Sequence, residues 1–118
     1  MHTTSEGRLS LEETLHAIRY HEARGYELVA FMPGSRRPPT NSHCFVELDE
    51  PGARPRPLEI VPIEPGEAGA ATIAERHKAG WELAIYGHLY ALGTLTRVAA
   101  FRMNHAHTTA GGTGSGNA

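Results

Sequence analysis

Glu27 and Glu82 stand 55 positions apart in two copies of one short segment, Gly25-Tyr26-Glu27-Leu28-Val29-Ala30-Phe31 and Gly80-Trp81-Glu82-Leu83-Ala84-Ile85-Tyr86. Equivalent carboxylates brought onto one sheet face could hold a divalent cation or share a proton, because like charges raise one another's pKa. The competing reading is that each glutamate pairs with an arginine or faces solvent. Tyr86, which ends the second copy, and His88, two residues beyond it, are the accompanying candidates for general acid or base. Arg36, Arg37, Arg54 and Arg56 lie in two proline-rich connectors. If those connectors meet over one end of the sheet, four guanidinium groups would suit a phosphate or carboxylate, although charged loops are commonly just solvated.

Cysteine and histidine offer less. Cys44 is the lone cysteine, and its neighbour His43 would face the opposite side of a strand, so it could not act as its base directly. His88 is the other candidate base, and the simpler reading is a small apolar side chain within a sheet. Eight histidines invite a metal, yet none shows the regular close spacing of a zinc site. His16 and His21 point to different faces of a helix at 3.6 residues per turn. The pair His105 and His107 lies in a Gly-rich tail without a scaffold. No metal and no cofactor are expected.

The elements that must position these residues come from the repeat. Ser10-Leu11-Glu12-Glu13 has the pattern of a capping box, and Leu11, Leu15 and Ile18 form one apolar stripe, predicting a helix from about Leu11 to Arg24 stopped by Gly25. Tyr26 to Met32 alternates as a strand, ended by Pro33-Gly34, and His43 to Leu48 returns as its partner. Leu58 to Ile63 reads as a third strand, Glu67 to Ala79 as a second helix closed by Gly80, Trp81 to Tyr86 as the repeated strand and Thr94 to Met103 as the last. Ile18 and Ile73 match at the same offset, whereas matching Phe45 with Phe101 needs a one-residue shift. The expected fold is therefore α+β: a two-layer sandwich of ferredoxin-like character, five mostly antiparallel strands with two helices on one face and a pseudo-twofold internal repeat.

In that arrangement the helices cover Leu28, Ala30, Leu83 and Ile85. The opposite face carries Val29, Phe31, Ala84 and Tyr86 with both glutamates, and Trp81 beside them. A face that apolar calls for a cover, so Val29, Phe31, Trp81 and Tyr86 are the expected partner surface, and a homo-oligomer or a place in a larger complex the expected state.

Length and charge bound the rest. The 118 residues predict a single domain over 9–103, with repeat halves of about 9–49 and 58–103 between a disordered N-terminus (1–8) and a disordered Gly-rich tail (104–118). A net charge of −2 with scattered basic residues gives no field to draw nucleic acid. No apolar run approaches the roughly 20 residues of a membrane span. The start of the chain lacks the basic-then-apolar order of a secretion signal, so a cytoplasmic, bacterial-type protein is the expectation.

The order helix, Gly-aromatic-Glu-Leu, strand, turn, strand resembles the small bacterial domain family recognised by its Gly-Trp-Glu-Leu-Val signature. Gly80-Trp81-Glu82-Leu83 and the closing Phe101-Arg102-Met103 resemble it best, and Gly25 to Phe31 resembles it with Tyr in place of Trp. The resemblance implies the fold and carries over no catalytic residue. Two functional readings follow. One is an oligomeric, non-catalytic accessory, scaffold or ligand-binding subunit acting through its aromatic sheet face. The other is a small enzyme with an interface pocket for an anionic organic substrate, using Glu27, Glu82, Tyr86 or His88 as acid or base and the connector arginines as anchors.

Overall fold

The computed structural model describes residues 1–104. Its elements are β1 (His2–Glu6), α1 (Leu11–Glu22), β2 (Tyr26–Arg36), β3 (Pro39–Glu47), β4 (Leu58–Pro62), α2 (Gly66–Lys78), β5 (Trp81–Ala91) and β6 (Thr94–Met103). They form two antiparallel three-stranded sheets, β1-β3-β2 and β4-β6-β5, rather than one five-stranded ferredoxin-like sheet with both helices on one face. Each half of the chain is thus a strand, a helix and a hairpin, with the leading strand paired to the hairpin's second strand.

The sixth strand is β1, in a segment whose polar sequence predicts disorder. His2 to Glu6 pairs with Cys44 to Thr40, and the chain's amino group donates to the Phe45 carbonyl at 3.0 Å. An apolar stripe is not needed here, because the backbone ladder and half-burial of Thr3 and Ser5 suffice. The predicted tail falls, from residue 105 onward, outside the described residues.

Local sequence explains the helix boundaries. At α1, the Glu13 amide donates to Ser10 Oγ at 3.1 Å and the Ser10 amide to Glu13 Oε1 at 3.0 Å, completing the capping box. Gly25 and Gly80 follow the helices at φ 92° and 96°, the left-handed conformation in which a glycine carries no Cβ penalty. Gly69 lets α2 settle tightly on the chain entering it, for a Cβ there would stand 2.9 Å from Ile63 Cγ2 and far closer to the Glu64 carbonyl.

The hairpins are longer than their sequence suggests. β2 continues through Pro33-Gly34, which a sheet edge tolerates because the missing proline amide is not needed there. β5 likewise runs on to Ala91, and Leu92 and Gly93 turn it at φ 51° and 79°, positive values at both positions as a two-residue I′ hairpin requires.

Both hairpins carry a bulge at the same repeat position. The register slips between Leu28 and Ala30 in β2 and between Leu83 and Ile85 in β5, so Val29 and Ala84 are the inserted residues. A second irregularity, between Pro33 and Arg36, belongs to the first hairpin alone. There Gly34 and Ser35 oppose Thr40, and the Ser35 amide donates to Thr40 Oγ1 at 2.9 Å. β3 is consequently one residue short of β6, which explains the shift between Phe45 and Phe101.

A bulge inverts every later residue of its strand. Leu28 therefore shares a face with Phe31, not with Ala30, and Leu83 shares one with Tyr86, not with Ile85. The expected grouping of Val29, Phe31, Ala84 and Tyr86 on one face is overturned for this reason. On the first sheet, Leu28, Phe31, Asn41, His43 and Phe45 form the buried side, and α1 lies on it through Ile18 and through the His21 ring, 5.2 Å from that of Phe45.

The second sheet separates its faces sharply. Ala99 and Phe101 pack with Ile63, and Ile73 of α2 and Trp81 pack on them. The opposite side, with Leu58, Ile60, Leu89, Val98 and Ala100, joins Ile18, Leu28, Phe31 and Phe45 in the main core. The Phe45 side of the first sheet thus meets the side of the second sheet that faces away from Phe101. Unlike faces meet, so the repeats stack head to tail and not about the expected pseudo-twofold, in which like faces would meet.

Candidate functional site

The repeated glutamates begin β2 and β5, and each faces a guanidinium. Glu82 Oε1 accepts from Arg56 Nη1 at 2.8 Å, and Glu27 Oε2 lies 3.9 Å from Arg102 Nε. Arg102 Nη1 also donates to the Arg56 carbonyl at 2.7 Å, which links the two pairs. Arginine pairing is the geometry of an ionic tie between segments, and each carboxylate is answered by a cation rather than by the other carboxylate.

The strongest member of this network is one that sequence reasoning passed over. Arg102 donates from Nη1 to Glu22 Oε1 at 2.9 Å and from Nη2 to Glu22 Oε2 at 2.5 Å. Glu22 Oε2 also accepts the Leu28 amide at 3.0 Å. Both side chains are buried, and this bidentate clasp joins the end of α1, the start of β2 and the end of β6 at the seam between repeats. A signal was present: Glu22 continues the stripe of Leu11, Leu15 and Ile18, and Arg102 continues Val98 and Ala100. A charge on an apolar face of that kind needs a buried partner.

The connector arginines do not assemble. Arg36 and Arg37 lie at the tip of the β2–β3 hairpin, whereas the connector holding Arg54 and Arg56 packs near the start of β2, where the Leu48 amide donates to Gly25. The eleven residues of β2 separate the two groups by roughly 30 Å at ~3.3 Å per residue. Arg54 donates to the Ala53 carbonyl at 2.9 Å, and Arg56 is committed to Glu82 and to the Met103 carbonyl. A four-arginine anion site is therefore not formed.

Comparison of the chain with models of known families, with curated proteins and with solved structures gives no match. Its geometry is the ground for any assignment. Among the described residues no helix is long and apolar enough to cross a membrane, and no three His, Cys, Asp or Glu side chains gather in a metal-holding group.

Cys44 has His43 on the opposite side of β3, as strand alternation predicts, and the other candidate base, His88, lies in the second sheet. Cys44 Sγ lies 3.3 Å from His2 Nδ1 on the outer side of the first sheet, a neighbour supplied by the strand that polar sequence concealed. His43 faces inward, with Nε2 2.9 Å from Ser5 Oγ and Nδ1 buried with no partner among the described residues. Burial, and then the nearby His21, lower its pKa from 6.5 to about 4. Between those values the unfolded chain binds a proton that the folded chain refuses. Stability is thus complete above pH 6.5 and falls as the pH drops toward 4. Urea unfolding at pH 7 and pH 5 is expected to show a loss of about 2 kcal/mol from this group. His43→Leu should flatten that difference, and an equal slope in wild type and variant would refute the assignment.

The predicted partner surface divides. Phe31 is inside the inter-repeat core and Trp81 packs beside α2, while Val29 is exposed at its bulge and Tyr86 is exposed on the second sheet. His88 is exposed on the same side as Tyr86, opposite Arg97. Leu83 and Leu95 share that side and are exposed too. The repeat makes the contrast quantitative: Leu28 and Phe31 are 2% and 9% exposed, but their counterparts Leu83 and Tyr86 are 45% and 51%. The first repeat's face is covered by the second repeat, and the second repeat's equivalent face is open beyond α2.

An open groove of about 370 Å³ runs between α1 and β4, with Leu11, Leu15 and Ile60 below Arg19 and the ion-paired Arg76 and Glu59. None of Glu27, Glu82, Tyr86 or His88 lines it. The sequence candidates for acid and base therefore do not converge on this groove.

Proposed function

We propose that the protein is a small, cytoplasmic, oligomeric, non-catalytic module, an accessory or scaffold subunit that works through the apolar face carrying Leu83, Tyr86 and Leu95. The observation behind this reading is the unequal burial of repeat-equivalent residues. A face that the chain itself covers once, at Leu28 and Phe31, is presented again without a cover. The arginine pairing of Glu27 and Glu82 agrees with structural duty for the two foremost sequence candidates for acid and base. The resemblance to the Gly-Trp-Glu-Leu-Val family fits the same picture, as a domain used twice to build one scaffold.

Tyr86→Glu tests the reading. The side chain is half exposed, so the variant folds, and circular dichroism should match wild type. Native mass spectrometry of protein purified from its own host is expected to show an assembly for wild type and the lone chain for the variant. A wild-type chain that is always alone, or an assembly indifferent to Tyr86→Glu, would overturn the proposal.

A further inference from the structure

The two open faces of this molecule are the two halves of a contact it already makes. Inside the chain, the Phe45 side of the first sheet receives the Ala100 side of the second. One copy of each kind of face is used up there. What remains is the Phe101 side of the second sheet, open at Leu83, Tyr86 and Leu95, and the outer side of the first sheet, where Met32 and Val46 are exposed and Ala30 and Cys44 half buried. Repeat alignment matches the outer residues Ala30, Met32, Cys44 and Val46 to Ile85, Gly87, Ala100 and Arg102, which line the internal seam.

We infer that a second copy of this chain docks head to tail, the outer face of its first sheet lying on the Tyr86 face of the second sheet. The inference rests on the proposed role of the Tyr86 face as a partner surface and names the partner. It is carried by continuity with the internal interface, for the missing half of each open face is displayed at the other end of the same molecule. A heterologous contact of this kind extends into a ring or a filament until something caps it.

Side-chain chemistry suits the repetition. At the seam the Phe31 ring approaches Gly87, 4.0 Å from where a Cβ would stand. The same step between copies sets Tyr86 over Met32, and a flexible thioether packs well on an aromatic ring. The buried Arg102 of the seam corresponds to Val46, so docking would bury an apolar residue there instead of an ion. One anchor is lost: Asn41 grips the Tyr90 backbone with bonds of 2.9 and 2.7 Å, and its counterpart Arg97 can donate but not accept. The contact between copies is thus a weaker version of the internal one, and it is reversible.

Two exposed positions supply the test, Val46→Glu on the outer face and Tyr86→Glu on the other. Sedimentation velocity should show the mass of wild type rising with concentration. Each variant alone should remain monomeric, with association weakened at least about 100-fold by a carboxylate that would have to be desolvated. Mixing the two variants should restore one contact, between the intact Tyr86 face of one and the intact outer face of the other. The mixture then stops at a one-to-one dimer. If Val46→Glu associates like wild type while Tyr86→Glu does not, the partner-face reading stands and the head-to-tail docking falls. A mixture that stays monomeric also overturns the docking. A wild type that does not self-associate but holds another protein through Tyr86 overturns it as well.

Discussion

Arg102→Met is expected to destabilise the fold by about 3–5 kcal/mol, the usual cost of removing one partner from a buried ion pair. The guanidinium is 2% exposed and answers both oxygens of Glu22. Its loss leaves a buried carboxylate with the Leu28 amide as its remaining donor. The cost should not be additive. In Glu22→Leu with Arg102→Met the stranded charge is gone, and replacement of a buried pair by apolar residues is often neutral. Urea denaturation of the two single variants and the double variant gives the cycle. The double variant is expected to recover most of the loss, and one as unstable as Arg102→Met would show that the backbone bonds to Leu28 and Arg56, not the ion pair, hold the seam.

Phe31→Ala and Tyr86→Ala form the second large contrast. The positions are equivalent in the repeat, so propensity and local geometry are nearly matched, and only their surroundings differ. Phe31 lies in the core between sheets, and its truncation should cost about 3–5 kcal/mol. Tyr86 is half exposed, and its truncation should stay within about 0.5 kcal/mol in the isolated monomer. Equal effects would mean that the sheets do not stack as described. At concentrations where copies associate, the Tyr86 effect should grow with protein concentration, because binding to the folded state adds stability.

Much of this architecture is legible in the sequence. The capping box at Ser10, the glycine stops at Gly25 and Gly80 and the presence of two hairpins are local matters, and local chemistry decides them. Two things escaped. Val29 and Ala84 look like ordinary members of an alternating strand, and nothing in their side chains marks them as bulge residues, yet they decide which face every later residue occupies. His2 to Glu6 is polar because much of that strand faces solvent, so a reading that seeks apolar stripes passes over it. For the candidate site, the repeat equivalence of Glu27 and Glu82 is legible in the sequence, but their arginine partners come from sequence-distant segments, Arg56 and Arg102, that only the tertiary fold brings near. Composition groups the connector arginines, and the length of β2 separates them.

The bulges also carry a chronology. If both halves descend from one ancestral copy, the insertion shared at Val29 and Ala84 was already in place when that copy doubled. The irregularity at Gly34 and Ser35, present in one half alone, marks a change made after the copies parted. The half that bears this later change is the one whose Leu28–Phe31 face is covered, and the half without it leaves the equivalent face open.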